Sequence, residues 1–225
     1  PKKFVPTPLP KGVLPKGKNG QALNLDFEKG TLADWTAKGN AFVGQPIAGE
    51  ISANRKFGEG KTAKPHGKFW LGGYEKLFDT PTGTLTSAAF EVTHPFAAFR
   101  IGGGSHKETR VELGQADTGA VFFKISGRDS ETMRPTVVDL RAHSGKSIFI
   151  RVIDEYTGGW GHVNFDDFRF YAKRPRFANA VQPPTPLVFE KPLLEGATAE
   201  AAAKAMTLPP GFRAIVAAAE PDVKQ

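Results

Sequence analysis

A chain of 225 residues, 40% hydrophobic and 24% charged, can bury one substantial core and little beyond it. It has no cysteine, which excludes disulfide frameworks, thiolate catalysis, cysteine-type zinc sites and covalent haem attachment within these residues, and no run approaches the roughly 18 consecutive apolar residues of a membrane span. The net charge of +7 does not describe a nucleic-acid binder: residues 1–20 hold five lysines and no acid, residues 21–171 balance 18 basic against 18 acidic side chains, and the excess sits in the tails rather than on one folded face.

Proline divides the chain in the same places, with five in residues 1–20, five in residues 21–171 and eight in residues 172–225. Residues 1–20 and 173–197 read as extended linkers, because proline removes backbone donors and disfavours helix. Between them lies one domain, 21–172. After the second linker, "TAEAAAKAMTL" offers Thr198 as an N-cap for a short helix that "PPGF" stops, so residues 198–225 read as that helix and the start of a following domain. The first residues lack the apolar core of a secretory signal and the chain does not begin with methionine, which predicts a processed or truncated start.

Within the domain the hydrophobic period is two. "ALNLDFE", "GTLTSAAFEV", "PFAAFRIGG", "TRVELGQ", "AVFFKISG", "PTVVDLR", "SIFIRVID" and "HVNFDDFRFY" follow one another as strand-length runs separated by Gly, Pro, Asn, Asp or Ser. About eight strands without intervening helices predict an all-β antiparallel sandwich or barrel. Strict alternation in the last run puts Val163, Phe165, Asp167, Arg169 and Tyr171 on one face and Asn164, Asp166, Phe168 and Phe170 on the other. One of the two adjacent aspartates is then expected to face the interior, where it needs a partner or a cation.

The segments "LNLDFEKGTLADWTAKGNAF", "GTLTSAAFEV", "FRIGGGSH" and "IRVIDEYTGGWGHVNFDDFRF" together resemble the jelly-roll module attached to glycoside hydrolase family 32 enzymes and to large secreted planctomycete-type proteins. The resemblance spans residues 23–171. It implies a jelly-roll sandwich with first and last strands side by side, a secreted or periplasmic location, and a structural calcium between those strands. Asp26, Glu28 and Asp167 are the expected ligands, with Asp166 as the alternative, and calcium suits such a set because it takes six to eight hard oxygens. The tail "KAMTLPPGFRAIVAAAEPDVKQ" resembles the opening of the dehydrogenase-like propeller of planctomycete and verrucomicrobial haem-binding proteins. That implies a larger oxidoreductase in which haem would belong only to downstream domains.

Sugars are held by aromatic rings over their C–H faces and by planar polar groups on their hydroxyls. "DEYTGGWGHVN" brings Asp154, Tyr156, Trp160, His162 and Asn164 within eleven residues, and "IGGGSHKETR" adds Gly103, Gly104, His106 and Arg110, with Trp70 a further aromatic. These are the expected contacts for a polysaccharide or oligosaccharide, with the two glycine-rich loops meeting at one end of the sandwich. The alternative assigns Trp160 and Trp70 to the core, the glycines to tight turns, the histidines to loop hydrogen bonds and the acids to lysine ion pairs. Asp154 with Glu155, or Glu108 with His106, would be the acid and base of any catalysis, but no serine-nucleophile or HExxH motif accompanies them. The expected function is therefore a non-catalytic carbohydrate-binding module, or else a structural domain that packs on downstream domains or a partner.

Overall fold

A computed structural model describes residues 11–50 and 62–177. In chain order the elements are β1 (Trp35–Gly39), β2 (Ile47–Ala48), β3 (Phe69–Gly72), the one-turn helix α1 (Tyr74–Leu77), β4 (Gly83–Ser87), β5 (Phe90–Glu91), β6 (Phe96–Gly103), β7 (Thr109–Gln115), β8 (Val121–Ser126), β9 (Ser130–Asp139), β10 (Ser147–Asp154) and β11 (Val163–Tyr171). They form two antiparallel sheets, β1-β4-β10-β7-β8 with β5 also on β10, and β2-β3-β11-β6-β9. The all-β sandwich is thus as expected. Its core lies between the sheets, where Val111, Leu113, Ile150 and Val152 meet Phe99, Ile101, Phe165 and Phe168.

Strand β11 departs from strict alternation, and the departure explains its sequence. Asp166 pairs with Arg100 and Arg169 with Ala98, so Asp167 and Phe168 together oppose one residue of β6. This is a β-bulge, and Asp167 adopts φ 56° within it. The bulge moves Phe168 and Phe170 to the same face as Val163 and Phe165, so Phe165, Phe168 and Phe170 are all core residues. Phe168 stacks on Phe99 at 6.1 Å and meets Phe90 at 5.6 Å with tilted planes. Burying each ring contributes about 1.5–3 kcal/mol, enough to outweigh the roughly 1–2 kcal/mol cost of a left-handed non-glycine residue. Neither aspartate therefore faces the inter-sheet core. Asp166 lies on the outer side of its sheet, where the chain at His66 covers it and His66 N–H donates to Asp166 Oδ2 at 2.6 Å.

The first predicted strand does not form. Residues 22–30 run through turns, with Phe27 at φ 56°, although Leu23, Leu25 and Phe27 are buried. Their alternation reflects burial across the open edge of the sandwich, not pairing in a ladder. Phe27 stacks on Trp35 at 5.3 Å, and Trp35 Nε1–H donates to the Asn24 carbonyl at 2.8 Å. The expected neighbourhood nevertheless holds: Phe168 N–H donates to the Leu25 carbonyl at 3.1 Å. Residues from Lys11 onward, although rich in proline and lysine, lie against the same strand through reciprocal Val13 and Phe170 backbone bonds of 2.9 and 2.8 Å. Strand β9 begins at Ser130 rather than Pro135; it is an edge strand, where proline's missing donor is tolerated. The short helix expected after Thr198 and the tail through 225 lie outside the described residues, as do residues 1–10.

Candidate ligand site at the glycine-rich end

Strand β6 ends beside the start of β11, with Gly103 opposite Val163, and this register brings the two glycine-rich segments together. Gly104 N–H donates to the His162 carbonyl at 2.9 Å, and on the other flank Gly73 N–H donates to the Val163 carbonyl at 3.2 Å. A Cβ on Gly103 would collide with the His162 carbonyl, and one on Gly104 with the Trp160 carbonyl. The run of glycines is therefore required by close backbone approach. Glu155 N–H donates to the Glu108 carbonyl at 3.0 Å, tying the loops 104–108 and 155–162 a second time.

Rings collect on this end. His106 lies against Tyr156 with centroids 3.8 Å apart and planes at 32°, and its Nε2 is 3.3 Å from the Gly159 carbonyl. Trp160, at φ 63°, is half-buried with its ring 5.6 Å from that of His162. Tyr74 approaches His162 from α1 at 5.3 Å, and Phe78, 62% exposed, meets Tyr74 edge-on at 5.2 Å. These rings have exposed edges or faces beside loop amides, the combination that a sugar's C–H faces and hydroxyls can use.

Beneath them lies a buried polar cluster. His162, 2% exposed, places Nδ1 2.7 Å from Asp79 Oδ1 and Nε2 3.4 Å from Glu131 Oε1. Burial opposes the imidazolium, but the bonds and charges of Asp79 and Glu131 outweigh it and push His162 up to about 9. Asn164 is also buried; its Oδ1 accepts from Gly73 N–H at 3.2 Å, and its Nδ2 donates to Glu131 Oε2 at 3.0 Å. Asp154 is 1% exposed with Oδ1 unpaired, and burial pushes it up to about 7, tempered by His162 and reinforced by Asp79.

The expected residues thus divide. Gly103, Gly104, His106, Tyr156, Trp160 and His162 come together at this end, while the side chains of His162, Asn164 and Asp154 are buried beneath its surface, His162 on Asp79 and Asn164 on Gly73 and Glu131. Trp70 is a correction. It is fully buried on the outer side of the second sheet with Ile47, Ala63 and Met133, and its Nε1–H donates to the Gly49 carbonyl at 2.8 Å. Arg110 projects from β7 onto the outer face of the first sheet, with Nε on Glu112 at 2.7 Å and Nη1 on the Lys107 carbonyl at 2.7 Å. Asp79, Glu131, Tyr74 and Phe78 were not foreseen. The spacing of Tyr74 and Phe78, four apart across one helical turn, was the available signal; nothing local marks Asp79 or Glu131, which matter only because folding brings them to His162.

The acids expected to hold calcium are gathered at the first and last segments but are partly committed elsewhere. Arg169 bridges Asp26 at 2.8 Å and Asp167 at 2.5 Å, and Asp167 also lies 3.3 Å from His66 Nδ1. Glu28 Oε1 accepts from the Lys68 and Phe69 amides at 2.8 and 2.9 Å. The trio Asp26, Glu28 and Asp167 does not fit a cation in this arrangement, and among the described residues no three acidic or histidine side chains converge as a metal centre. Asp166 retains an unpaired, buried Oδ1, and burial first, then the charges of Asp167 and Glu28, hold its carboxyl well above the usual range.

No family model matches the chain. Over 158 residues, 68% of its length, it is 28% identical to the putative glycosyl hydrolase ecdE of Aspergillus rugulosus, of which it spans about a fifth (21%). Similar solved structures include the module TmCBM61 in complex with beta-1,4-galactotriose, at 18% identity over 67% of this chain and 96% of that one with a TM-score of 0.42. The K1 cleaved adhesin domain of Lys-gingipain from Porphyromonas gingivalis W83 is similar at 19% identity, 66% and 96% coverage and TM-score 0.36. A family 35 carbohydrate binding module from Clostridium thermocellum follows at 12% identity, 59% and 88% coverage and TM-score 0.30.

Proposed function

We propose that the described domain is a non-catalytic, carbohydrate-binding-like module of a larger secreted protein, and that the glycine-rich end is its binding face. The observation that carries this reading is the meeting of the 104–108 and 155–162 loops, which sets the His106–Tyr156 pair and half-buried Trp160 around one polar surface. The non-catalytic part is supported by the positions of the possible acids and bases: Asp154 is sealed beneath the loops, Glu108 pairs with Lys107 at 3.6 Å, and His106 is committed to Tyr156. A parent that is a haem-containing dehydrogenase-like oxidoreductase is proposed from the tail alone, which lies outside the described residues.

Trp35 and Trp70 are buried, so a ligand at this end should move chiefly the fluorescence of Trp160. Titrating the full chain with a panel of neutral oligosaccharides, beta-1,4-galactotriose among them, is expected to give a saturable shift. Trp160→Ala should lose that shift and weaken binding by about tenfold or more by calorimetry, with an unchanged far-ultraviolet spectrum. If every glycan is silent, the exposed Phe78 favours the alternative, a surface that packs on a protein partner.

Calcium is proposed at the outer side of β11 on narrower support, the unpaired Oδ1 of Asp166 beside Glu28. Bound there, it would supply the positive counter-charge that offsets the repulsion between Asp166 and Glu28 and fasten the covering turn to β11. Adding millimolar calcium is then expected to raise the melting temperature by several degrees, about 1–3 kcal/mol of linkage, and Asp166→Asn should abolish the rise. Equal melting with calcium and with chelator would mean that no calcium binds there.

A further inference from the structure

On the outer face of the first sheet, immediately beside the aromatic end, lies a pocket of about 460 Å3 lined by Lys107, Glu108, Arg110, Glu112, Lys124 and Ser126 among others. The pocket and the proposed glycan face share the loop 104–108, since Ser126 Oγ–H donates to the His106 carbonyl at 2.8 Å. Resting on that reading, we propose that this pocket makes the module selective for saccharides bearing a carboxylate, such as a uronic acid residue, seated next to the His106–Tyr156 pair.

Charge and preorganisation both suit this pocket to a carboxylate. Val111 and Leu113 point into the core, so Arg110 and Glu112 stand on the opposite face of β7. Glu112 is nearly buried and already holds two guanidinium groups, Arg110 at 2.7 Å and Arg151 at 3.6 Å. Its charge is spent. Lys124 stands directly opposite Glu112 across the β7–β8 ladder, yet no carboxylate among the described residues lies within ion-pairing distance of its ammonium group. Arg110 is fixed by Glu112 through Nε and by the Lys107 carbonyl through Nη1, which leaves Nη2 with no partner among the described residues. A guanidinium immobilised in this way loses little freedom when it binds a carboxylate. The pocket therefore presents an immobilised Arg110, an unpaired Lys124 and the Ser126 hydroxyl within one hollow, and the only carboxylates lining it are already paired with Lys107 and Arg110. A neutral sugar would leave Lys124 without a counter-charge and Arg110 Nη2 without an acceptor; a uronate supplies both while its ring lies against the neighbouring aromatic pair.

The test is calorimetry on the full chain with an oligogalacturonate and a neutral galacto-oligosaccharide of equal length, at low and moderate salt. The uronate is expected to bind about tenfold more tightly at low salt, and the preference should shrink as salt rises. Lys124 is exposed, so Lys124→Gln is a mild change; it should cut uronate affinity about fivefold and leave the neutral sugar untouched, while Lys124→Arg keeps the preference. Trp160→Ala should weaken both sugars. If both bind equally, or the preference survives in Lys124→Gln, the acidic selectivity is overturned while Trp160-dependent binding still upholds the glycan face. If neither sugar binds, both readings fall.

Discussion

Gly103→Ala is expected to destabilise the domain by about 3 kcal/mol, a large fraction of the roughly 5–15 kcal/mol that a domain possesses. Two costs combine. Gly103 sits at φ 89°, where an L side chain is strained by roughly 1–2 kcal/mol, and the added Cβ would strike the His162 carbonyl. That carbonyl accepts the Gly104 N–H at 2.9 Å, so relieving the collision breaks the bond that joins the two loops. Gly145→Ala separates the costs, because Gly145 has φ 72° and open space where its Cβ would go; it should lose about 1 kcal/mol. Urea unfolding of both variants measures the difference. Equal losses would mean that the loops are not held in contact at Gly103. The glycan shift from Trp160 should also weaken in Gly103→Ala and persist in Gly145→Ala, since only the first disturbs the ring-bearing loops.

The middle of the domain was legible because both faces of the sandwich impose period two. Strands β7 and β10 have the predicted bounds: in β7 Val111 and Leu113 alternate with Arg110, Glu112 and Gly114, whereas β10 is a short apolar run in which Phe149 and Ile153 are buried as well as Ile150 and Val152. The same signal misled at Leu23, Leu25 and Phe27, which alternate and are buried but have no ladder partner; side-chain periodicity reports burial and cannot count hydrogen bonds. Strand β1 escaped notice for the opposite reason. Only Trp35 of its five residues is buried, so an edge strand bonded to β4 leaves no apolar pattern. The bulge in β11 is readable afterwards, since "FDDF" places two buried phenylalanines an odd number of residues apart, which only an inserted residue can reconcile with one face. At the candidate site, the two glycine-rich loops do meet at one end, joined by the Gly104 N–H on the His162 carbonyl. Whether Trp160 or Trp70 lay outside depended on packing: the outer side of the second sheet is itself covered, and its cover made Trp70 a core residue.

Raising the pH from 6.5 to 9 is expected to weaken the fold progressively, and His162→Gln to remove that slope. The groups facing His162 are Asp79 from the loop after α1, Glu131 from β9, Asp154 from the end of β10, and the rings of Tyr74 and Trp160. With its pKa raised from 6.5 to about 9, His162 binds its proton more tightly folded than unfolded. Its contribution is full below pH 6.5 and is lost as pH rises through 9. At 1.36 kcal/mol per unit it amounts to about 3 kcal/mol. Asp154, raised from 3.8 to about 7, acts with the same sign at lower pH: its neutral form suits the buried site, and stability falls as it ionises between about 4 and 7. Urea midpoints across pH 4–10 should therefore decline in two overlapping steps, the first absent from Asp154→Asn and the second from His162→Gln. The glutamine can still donate to Asp79 but carries no charge, so His162→Gln should also lose about 2–3 kcal/mol at pH 6, where two carboxylates are left with one fewer cation. A wild-type profile flat from 6.5 to 9, or an unaltered slope in His162→Gln, would mean that the imidazolium does not hold this end together. Because His162 anchors the loop carrying Tyr156 and Trp160, glycan affinity should decline over the same upper range, and it should do so in Lys124→Gln as in the wild type.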